Sequence, residues 1–152
     1  MTDISEIDSN SINKWNFINI NDLISTIESS KYIEREYIGG WGAKKSYIYG
    51  CYEKLLEIAS DSLWIELSYS KSPVMRYYAY KALLSKESSE FPAVRNRLIR
   101  DTSPVCTYSC DIIDCLLTLG ELLLIEERSG ANIDCEGVPL VVNSMARQLK
   151  KS

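Results

Sequence analysis

The stretch SPVMRYYAYKALL, residues 72–84, begins with a helix-start signature that returns in shorter form as SPV at 103–105. Serine is a favoured N-cap, and proline is favoured at the first helical position because its missing N–H would have no partner there. The two copies are 31 residues apart. We therefore predict one helix at 73–86 and a second at 104–119, related as two units of a helical repeat.

Apolar residues recur at helical spacing along most of the remaining chain, and residues that can cap a helix precede several of these segments. Three glycines within 39–42 interrupt the pattern and predict a loop. Apart from a weak signal at 15–20, no segment shows the sustained alternation of apolar and polar residues that is typical of a half-buried strand. The other predicted helices lie at about 22–36, 43–60, 61–69, 91–101, 121–128 and 139–149.

Length and composition indicate one globular domain. The chain has 152 residues, of which 45% are hydrophobic and 25% are charged, so it has enough apolar side chains for a buried core. Residues 1–21 are rich in Ser, Asn and Asp and are predicted to form a polar N-terminal arm, whereas 22–152 are predicted to form the helical domain. The fold class predicted from these elements is all-α.

The charge of the chain limits its partners. A net charge of −4 and a sequence pI of about 5.0 do not favour a nucleic-acid-binding protein, which normally carries a basic surface, and fit a basic protein partner better. Acidic residues occupy the N-terminus, where a signal peptide carries positive charge, and the most apolar stretch, 116–125, is shorter than the roughly 20 residues that span a bilayer. We therefore expect a soluble cytoplasmic protein that binds neither nucleic acid nor membrane.

The cysteines also indicate the cytoplasm. Five cysteines without the regular spacing of a disulfide framework are typical of a reducing compartment. We expect one helix to carry Cys106, Cys110 and Cys115 near the same face. They could bind zinc or be buried in the core. Burial is favoured because free cysteine is among the most buried residue types. We expect no disulfide and no bound metal. The chain has no histidine, the commonest general base and metal ligand.

Two further patterns are candidates for chemistry. The segment GGWGAKKS at 39–46 is similar to a phosphate-binding loop, but Lys44 stands before the Lys-Ser pair, where that loop has glycine. Asp111 and Asp114 are three residues apart and suggest paired carboxylates, yet no histidine, nucleophile elbow or triad accompanies them. We expect no enzyme activity and no cofactor, and an exposed acidic face at the two aspartates.

The pattern S-P-V-x-R-x-x-A-x-x-A-L at 72–83 resembles the second helix of HEAT-like repeats, whose short form has about this period. The copy at 103–116 keeps the first three residues but has Thr107 and Cys110 in place of the arginine and the first alanine. The resemblance, which covers roughly 42–150, implies an α-α superhelix of HEAT-like helical hairpins in a single compact domain. In HEAT-like proteins the second helices line a concave face, and small bacterial examples mostly bind other proteins.

Ten tyrosines against two phenylalanines are the strongest compositional signal. Tyrosine is frequent at binding surfaces because it offers a large contact area and one hydroxyl at low entropic cost. Suppose that Arg76, Tyr77, Tyr80 and Lys81 face outward from the predicted helix at 73–86. The 31-residue offset between repeats then places the equivalent residues of the adjacent helices beside them. The alternative is that the tyrosines pack between helices. The predicted partner-binding residues are Lys45, Tyr49, Arg76, Tyr77, Tyr80, Lys81, Tyr108, Asp111, Asn143 and Arg147.

These observations predict a protein-binding module that catalyses no reaction. In size and acidic charge the chain resembles the immunity proteins of bacterial toxin systems, which are small, soluble and often acidic. The resemblance implies a protein that neutralises its cognate toxin by covering the toxin's active surface. The part of the toxin that it covers is expected to be a basic domain. The alternatives are an intracellular scaffold or adaptor and an enzyme that uses the cysteine or aspartate cluster.

Overall fold

The computed structural model describes residues 19–39 and 44–129. Within these ranges the chain forms six helices and five strands, numbered here in chain order. The helices are α1 (Ile20–Glu28), α2 (Tyr47–Ile58), α3 (Asp61–Leu67), α4 (Pro73–Ser85), α5 (Phe91–Leu98) and α6 (Leu119–Ser129). The strands are β1 (Ile33–Glu34), β2 (Tyr37–Gly39), β3 (Lys44–Lys45), β4 (Pro104–Ser109) and β5 (Ile112–Thr118).

The central helix, α4, begins where the sequence predicts. The Ser72 hydroxyl accepts a hydrogen bond from the Met75 amide at 3.1 Å, and Pro73 occupies the first turn. Eight of its thirteen residues are buried, so this helix is enclosed on most sides by the rest of the protein. The prediction of a helix at 73–86 is confirmed.

The other described helices correspond to predicted ones, with shifted ends. α1 begins earlier than predicted because Asn19 and Asp22 form a capping box, in which each side chain accepts a hydrogen bond from the other's amide. It also ends earlier, since residues 33–34 form β1 instead of the last helical turn. The predicted helix at 139–149 lies outside the described residues.

The predicted helix at 104–119 is wrong, because this segment is the hairpin of β4 and β5. The Ser103 hydroxyl caps no helix; it accepts a hydrogen bond from the Arg76 guanidinium at 2.7 Å. Pro104 is the first residue of a strand, a position that tolerates the missing N–H. The all-α class and the superhelix of HEAT-like helical hairpins are therefore wrong, and the fold is a mixed α/β fold with two sheets.

The larger sheet has the strand order β1-β4-β5. β1 and β4 are parallel, with Ile33 opposite Thr107, and β4 and β5 are antiparallel. β2 and β3 form a separate antiparallel pair, with Tyr37 opposite Lys45. Among the described residues, no strand pairs with the outer side of β5, which is therefore an edge strand of the sheet.

Aromatic rings fill the centre of the hydrophobic core. Tyr52 stacks on Tyr78 with 4.9 Å between ring centroids and meets Trp64 edge to face, while Tyr77 packs edge to face on Tyr78. The Tyr78 hydroxyl donates to the carbonyl of Glu34 at 2.6 Å, which fixes β1 against α4. The alternative interpretation of the tyrosine content, packing between helices, is confirmed for these residues.

Candidate functional site

The β4–β5 hairpin is closed by a disulfide between its strands. The register shifts between Val105 and Thr107, where β5 carries one extra residue and forms a β-bulge. Cys106 of β4 is bonded to Cys115 of β5 at this bulge. The expectations that the cysteines lie near one face of a helix and form no disulfide are therefore wrong. The covalent link restricts the conformations that the hairpin can adopt.

A two-residue turn at Cys110 and Asp111 joins the two strands. Both residues have positive φ, 52° and 63°, as in the mirror-image turns whose twist matches that of a hairpin. The Asp111 amide donates to the carbonyl of Ile38 at 2.7 Å, and Cys110 is disulfide-bonded as well. The tip of the hairpin is thus attached to β2.

Three large apolar side chains of β5 are exposed to solvent. Ile112, Ile113 and Leu116 are 41%, 51% and 55% exposed, and we call these three residues the hairpin ridge. They are three of the eight large hydrophobic side chains exposed in the described part of the chain, and they lie within five consecutive residues. Concentrated apolar surface with polar groups around it is typical of a site at which another macromolecule binds.

Polar groups of β5 lie beside the hairpin ridge. Ile113 is opposite Tyr108 in a pair without mutual hydrogen bonds, so its backbone N–H and C=O point away from β4. On the opposite side of the hairpin, the Tyr108 carbonyl accepts a hydrogen bond from the Arg35 amide at 3.1 Å. The Leu116 amide donates to the Asp114 carboxylate at 2.9 Å. The edge strand therefore presents backbone groups and a carboxylate next to its apolar side chains.

A second polar feature, around Glu126 of α6, lies inside the protein. The Glu126 carboxylate accepts hydrogen bonds from the Tyr77 hydroxyl at 2.9 and 2.8 Å, from Lys81 at 3.3 Å and from Arg35 at 3.4 Å. Burial, followed by the negative charge of Glu126, raises the pKa of the Tyr77 phenol well above its ordinary value. Tyr77 therefore stays protonated and serves as a permanent donor between α4 and α6.

The next residue, Glu127, is bound by two further helices. Arg95 of α5 contacts both of its carboxylate oxygens, at 2.7 and 2.9 Å, and the Tyr80 hydroxyl of α4 donates to the same group. The hydrogen bond from Arg95 is the main reason why the pKa of Glu127 is lowered. Since protein donors already bind both Glu126 and Glu127, we interpret this cluster as a structural connection between α4, α5 and α6.

Four predicted partner-binding residues of α4 form contacts inside the protein. Tyr77 and Tyr80 are only 4% and 2% exposed, so the prediction that they face outward is wrong. Lys81 belongs to the same cluster, bonded to α6. Arg76 pairs with Asp101, with 2.8 Å between Nε and Oδ2. These four side chains hold secondary-structure elements together.

Lys45 ends β3, and Tyr49 lies in the first turn of α2. Tyr49 is half-buried against the ring of Tyr52, and Lys45 is ion-paired with Glu53 at 2.8 Å. An open groove of about 500 Å³ next to them has two lysines and two glutamates that pair with each other. The groove is lined by Lys45, Ser46, Tyr47, Gly50, Glu53, Lys54 and Glu57. Because its charges are neutralised locally, the groove has no evident preference for a charged ligand.

Tyr108 and Asp111 are the predicted residues that lie on the hairpin. Tyr108 is half-buried, and its ring meets that of Tyr32 edge to face at 6.0 Å; Asp111 is exposed at the turn. Asn143 and Arg147 lie outside the described residues. For these positions, as for Lys45 and Tyr49, a role in partner binding stays a prediction.

The cysteine cluster that zinc binding would require is used in another way. Cys106 and Cys115 are joined to each other, and Cys51 carries a buried thiol that is not part of a disulfide. In residues 19–39 and 44–129, no three His, Cys, Asp or Glu side chains are grouped so that they could hold a metal ion.

The residues of the hairpin ridge were not predicted as a site. Their sequence signal is the run at 104–118, in which β-branched and apolar residues stand on both sides of the polar pair Cys110-Asp111. Such a run is typical of two strands joined by a tight turn. It is masked by the Ser-Pro-Val opening that the segment shares with α4.

Comparison with known proteins supplies no relative. No protein-family model, curated protein or solved structure matches the chain. None of the helices in the described ranges has the length and apolar character needed to cross a membrane. A functional proposal therefore depends on the chemistry of the surface.

Proposed function

We propose that the chain is a protein-binding module whose contact surface is the hairpin ridge, and that it acts as an immunity protein. One observation supports the proposal above all: three large apolar side chains, those of Ile112, Ile113 and Leu116, are exposed within five residues of one edge strand. In this mechanism the ridge docks on a toxin and covers its active surface, and no reaction is catalysed.

The hairpin is preorganised for binding. The Cys106–Cys115 disulfide joins its strands, and the Asp111 amide attaches its tip to Ile38 of β2. A surface that is already ordered loses less conformational entropy when a partner binds, so more of the contact energy appears as affinity.

The partner favoured by the charge of the hairpin is a basic protein. Residues 104–118 contain two aspartates and no lysine or arginine, and the whole chain has a net charge of −4. Opposite charge around an apolar contact accelerates association and disfavours wrong partners. The outward backbone groups of Ile113 also allow a partner strand to pair with β5, as in complexes formed by strand addition.

The test is coexpression with the protein encoded by the neighbouring gene, which in a toxin–immunity pair is the toxin. The chain should restore growth and form a complex whose Kd can be measured by calorimetry. Ile113→Asp and Leu116→Asp should each weaken binding about 30-fold or more, as expected for the loss of a hot spot. The matched controls are Ile58→Asp and Leu84→Asp, which change similarly exposed residues of α2 and α4.

The outcomes separate the parts of the proposal. Growth rescue that is lost in the ridge variants and kept in the two controls supports both parts. Binding without rescue indicates an adaptor rather than an immunity protein. Folded ridge variants that bind and protect as well as the wild type would exclude the hairpin ridge as the contact surface.

A further inference from the structure

A second surface differs in charge from the hairpin ridge. The guanidinium of Arg97 lies over the ring of Tyr69, 3.8 Å from its centroid, while Tyr69 remains 68% exposed. Arg97 is held there by hydrogen bonds to the Ser68 carbonyl at 2.9 Å and to the Ser68 hydroxyl at 2.6 Å. Lys71 and Arg100 are exposed close by in the chain. We call Tyr69, Lys71, Arg97 and Arg100 the basic platform.

The cations of the basic platform have no carboxylate partner in the described part of the chain. The ion pairs found there do not include Lys71, Arg97 or Arg100. The adjacent Asp101 is occupied by Arg76, to which it is bonded at 2.8 Å. In an acidic protein, an exposed tyrosine beside three cations that form no ion pair with a described residue is a local site for an anionic group, and tyrosine and arginine are among the residues enriched at binding hot spots.

We infer that the basic platform binds the acidic N-terminal segment of this same chain, residues 1–18. This segment carries Asp3, Glu6 and Asp8 and has one basic residue, Lys14. Its three carboxylates match the three cations in number and sign. Ile4 and Ile7 stand between the carboxylates and supply apolar groups for the exposed Tyr69 ring.

The segment is long enough to reach the platform. It joins the described chain at Asn19, and the nine residues of α1 separate this point from Glu28 by about 13 Å. Glu28 accepts a hydrogen bond from Ser70, the residue between Tyr69 and Lys71, so the far end of α1 adjoins the platform. The eleven residues from Asp8 to Asn19 span up to about 36 Å when extended, which is more than twice the length of α1.

Zero-length carbodiimide cross-linking of the full chain tests the inference, because it joins a carboxylate to a lysine amine in direct contact. Peptide mass spectrometry of the monomer should find Lys71 linked to Asp3, Glu6 or Asp8. The yield of links from these carboxylates to exposed Lys31 should be at least fivefold lower. The yield of the Lys71 link should also fall at least fivefold in 0.5 M salt. Arg97→Glu with Arg100→Glu should reduce the Lys71 link at least fivefold. Arg128→Glu, at an exposed position of α6, is the matched control.

A second measurement does not depend on the folding of the Arg97 variant. It uses a triple variant of the full chain that combines Asp3→Asn, Glu6→Gln and Asp8→Asn. These substitutions leave the sequence of α1 to α6 unchanged. The amide resonances of Tyr69, Lys71 and Arg100 should shift in this variant, whereas those of the hairpin ridge should not.

Three results would overturn the inference. The first is that no link joins residues 1–18 to Lys71 and that the amide resonances of the basic platform do not shift in the triple variant. The second is an equal yield at Lys31, which would mean that the segment has no preferred contact. The third comes from cross-linking a mixture of ¹⁴N-labelled and ¹⁵N-labelled chains. If every link joins two different molecules, the basic platform binds the N-terminal segment of a second copy. Each result leaves the proposal for the hairpin ridge unaffected.

Discussion

The Tyr77 hydroxyl lies 2.9 and 2.8 Å from the two carboxylate oxygens of Glu126 and shares its one proton between them, although the two residues are 49 positions apart in the chain. Both side chains are buried, so the bond connects α4 to α6 where water does not compete for it. Loss of one partner at such a place leaves the other as an incompletely bonded buried group, which costs more than losing an exposed bond. Tyr77 is thus a determinant of stability and not a binding anchor.

Tyr77→Phe should lower the free energy of unfolding by about 1–3 kcal/mol, because the ring still packs on Tyr78 while Glu126 loses its shortest hydrogen bonds. Urea denaturation measures the change. Tyr69→Phe, at an exposed ring, is the control and should change stability by less than about 0.5 kcal/mol. Equal stability of the two variants would contradict the role assigned to the Glu126 cluster.

The protein should lose stability in mild acid. Burial raises the pKa of Asp101, but hydrogen bonds from Ser103 and Arg76 outweigh it and hold the pKa below its ordinary value; the pKa of Glu127 is lowered mainly by Arg95. A carboxylate with a lower pKa in the folded state stabilises the fold above its unfolded pKa, and this contribution disappears as the pH falls through the folded pKa. The contribution should be complete above about pH 5 and decline below about pH 4.

Unfolding curves between pH 7 and pH 3 measure this dependence. In Asp101→Asn the fall in stability should be shallower than in the wild type, because one of the two carboxylates with lowered pKa no longer titrates. A fall of the same size in both proteins would show that other groups dominate the acid response.

Replacing Cys106 and Cys115 together by serine should lower the free energy of unfolding by about 2.5 kcal/mol, the value expected from the conformational entropy of a loop closed over nine residues. Hydrogen exchange at the amides of β4 and β5 should accelerate more than exchange at the buried amides of α4. If the hairpin amides exchange as slowly as in the wild type, the disulfide does not order the hairpin.

Gly120→Ala should destabilise the protein by about 2–3 kcal/mol, because the added Cβ would lie within 2.2 Å of the Ile99 carbonyl oxygen, in backbone that cannot easily move. Gly39→Ala is the matched control: its Cβ would meet its nearest neighbour, a side-chain oxygen of Asp111, at an ordinary 3.4 Å. Thermal unfolding compares the two. A larger loss at Gly39 than at Gly120 would contradict the close approach of α6 to the end of α5.

The sequence predicts most helices of the described chain because their signals are local. The Ser72 cap and the buried residues of α4 lie within a few positions of each other, and the same holds for α2 and α3, which Ser46 and Ser60 cap. The error at 104–119 has a tertiary cause: Arg76, 27 residues away, takes the Ser103 hydroxyl that a helix N-terminus would need. No helix-start rule contains that information.

The predicted outward orientation of Tyr77 and Tyr80 is wrong for a related reason. The prediction assumes that Tyr77 and Tyr80 face outward from α4 and places a matching helix beside them. Their hydroxyls instead donate to Glu126 and Glu127 of α6, and the neighbouring unit is a hairpin. Contacts over 47 to 49 residues depend on how the helices assemble. Asp111 is exposed, as predicted, but at the turn of a hairpin and not on the face of a helix.

The parallel pairing of Ile33 with Thr107 joins two distant parts of the chain, so we expect it to form late in folding. It closes a loop of roughly 70 residues, whereas the helices between them need only near neighbours, so the helices can form long before the strands meet. The antiparallel hairpin becomes part of the sheet only at that late step. A nascent chain that has emerged only as far as α5 lacks both strands of the hairpin, so it gains the proposed contact surface only when residues 104–118 have been synthesised.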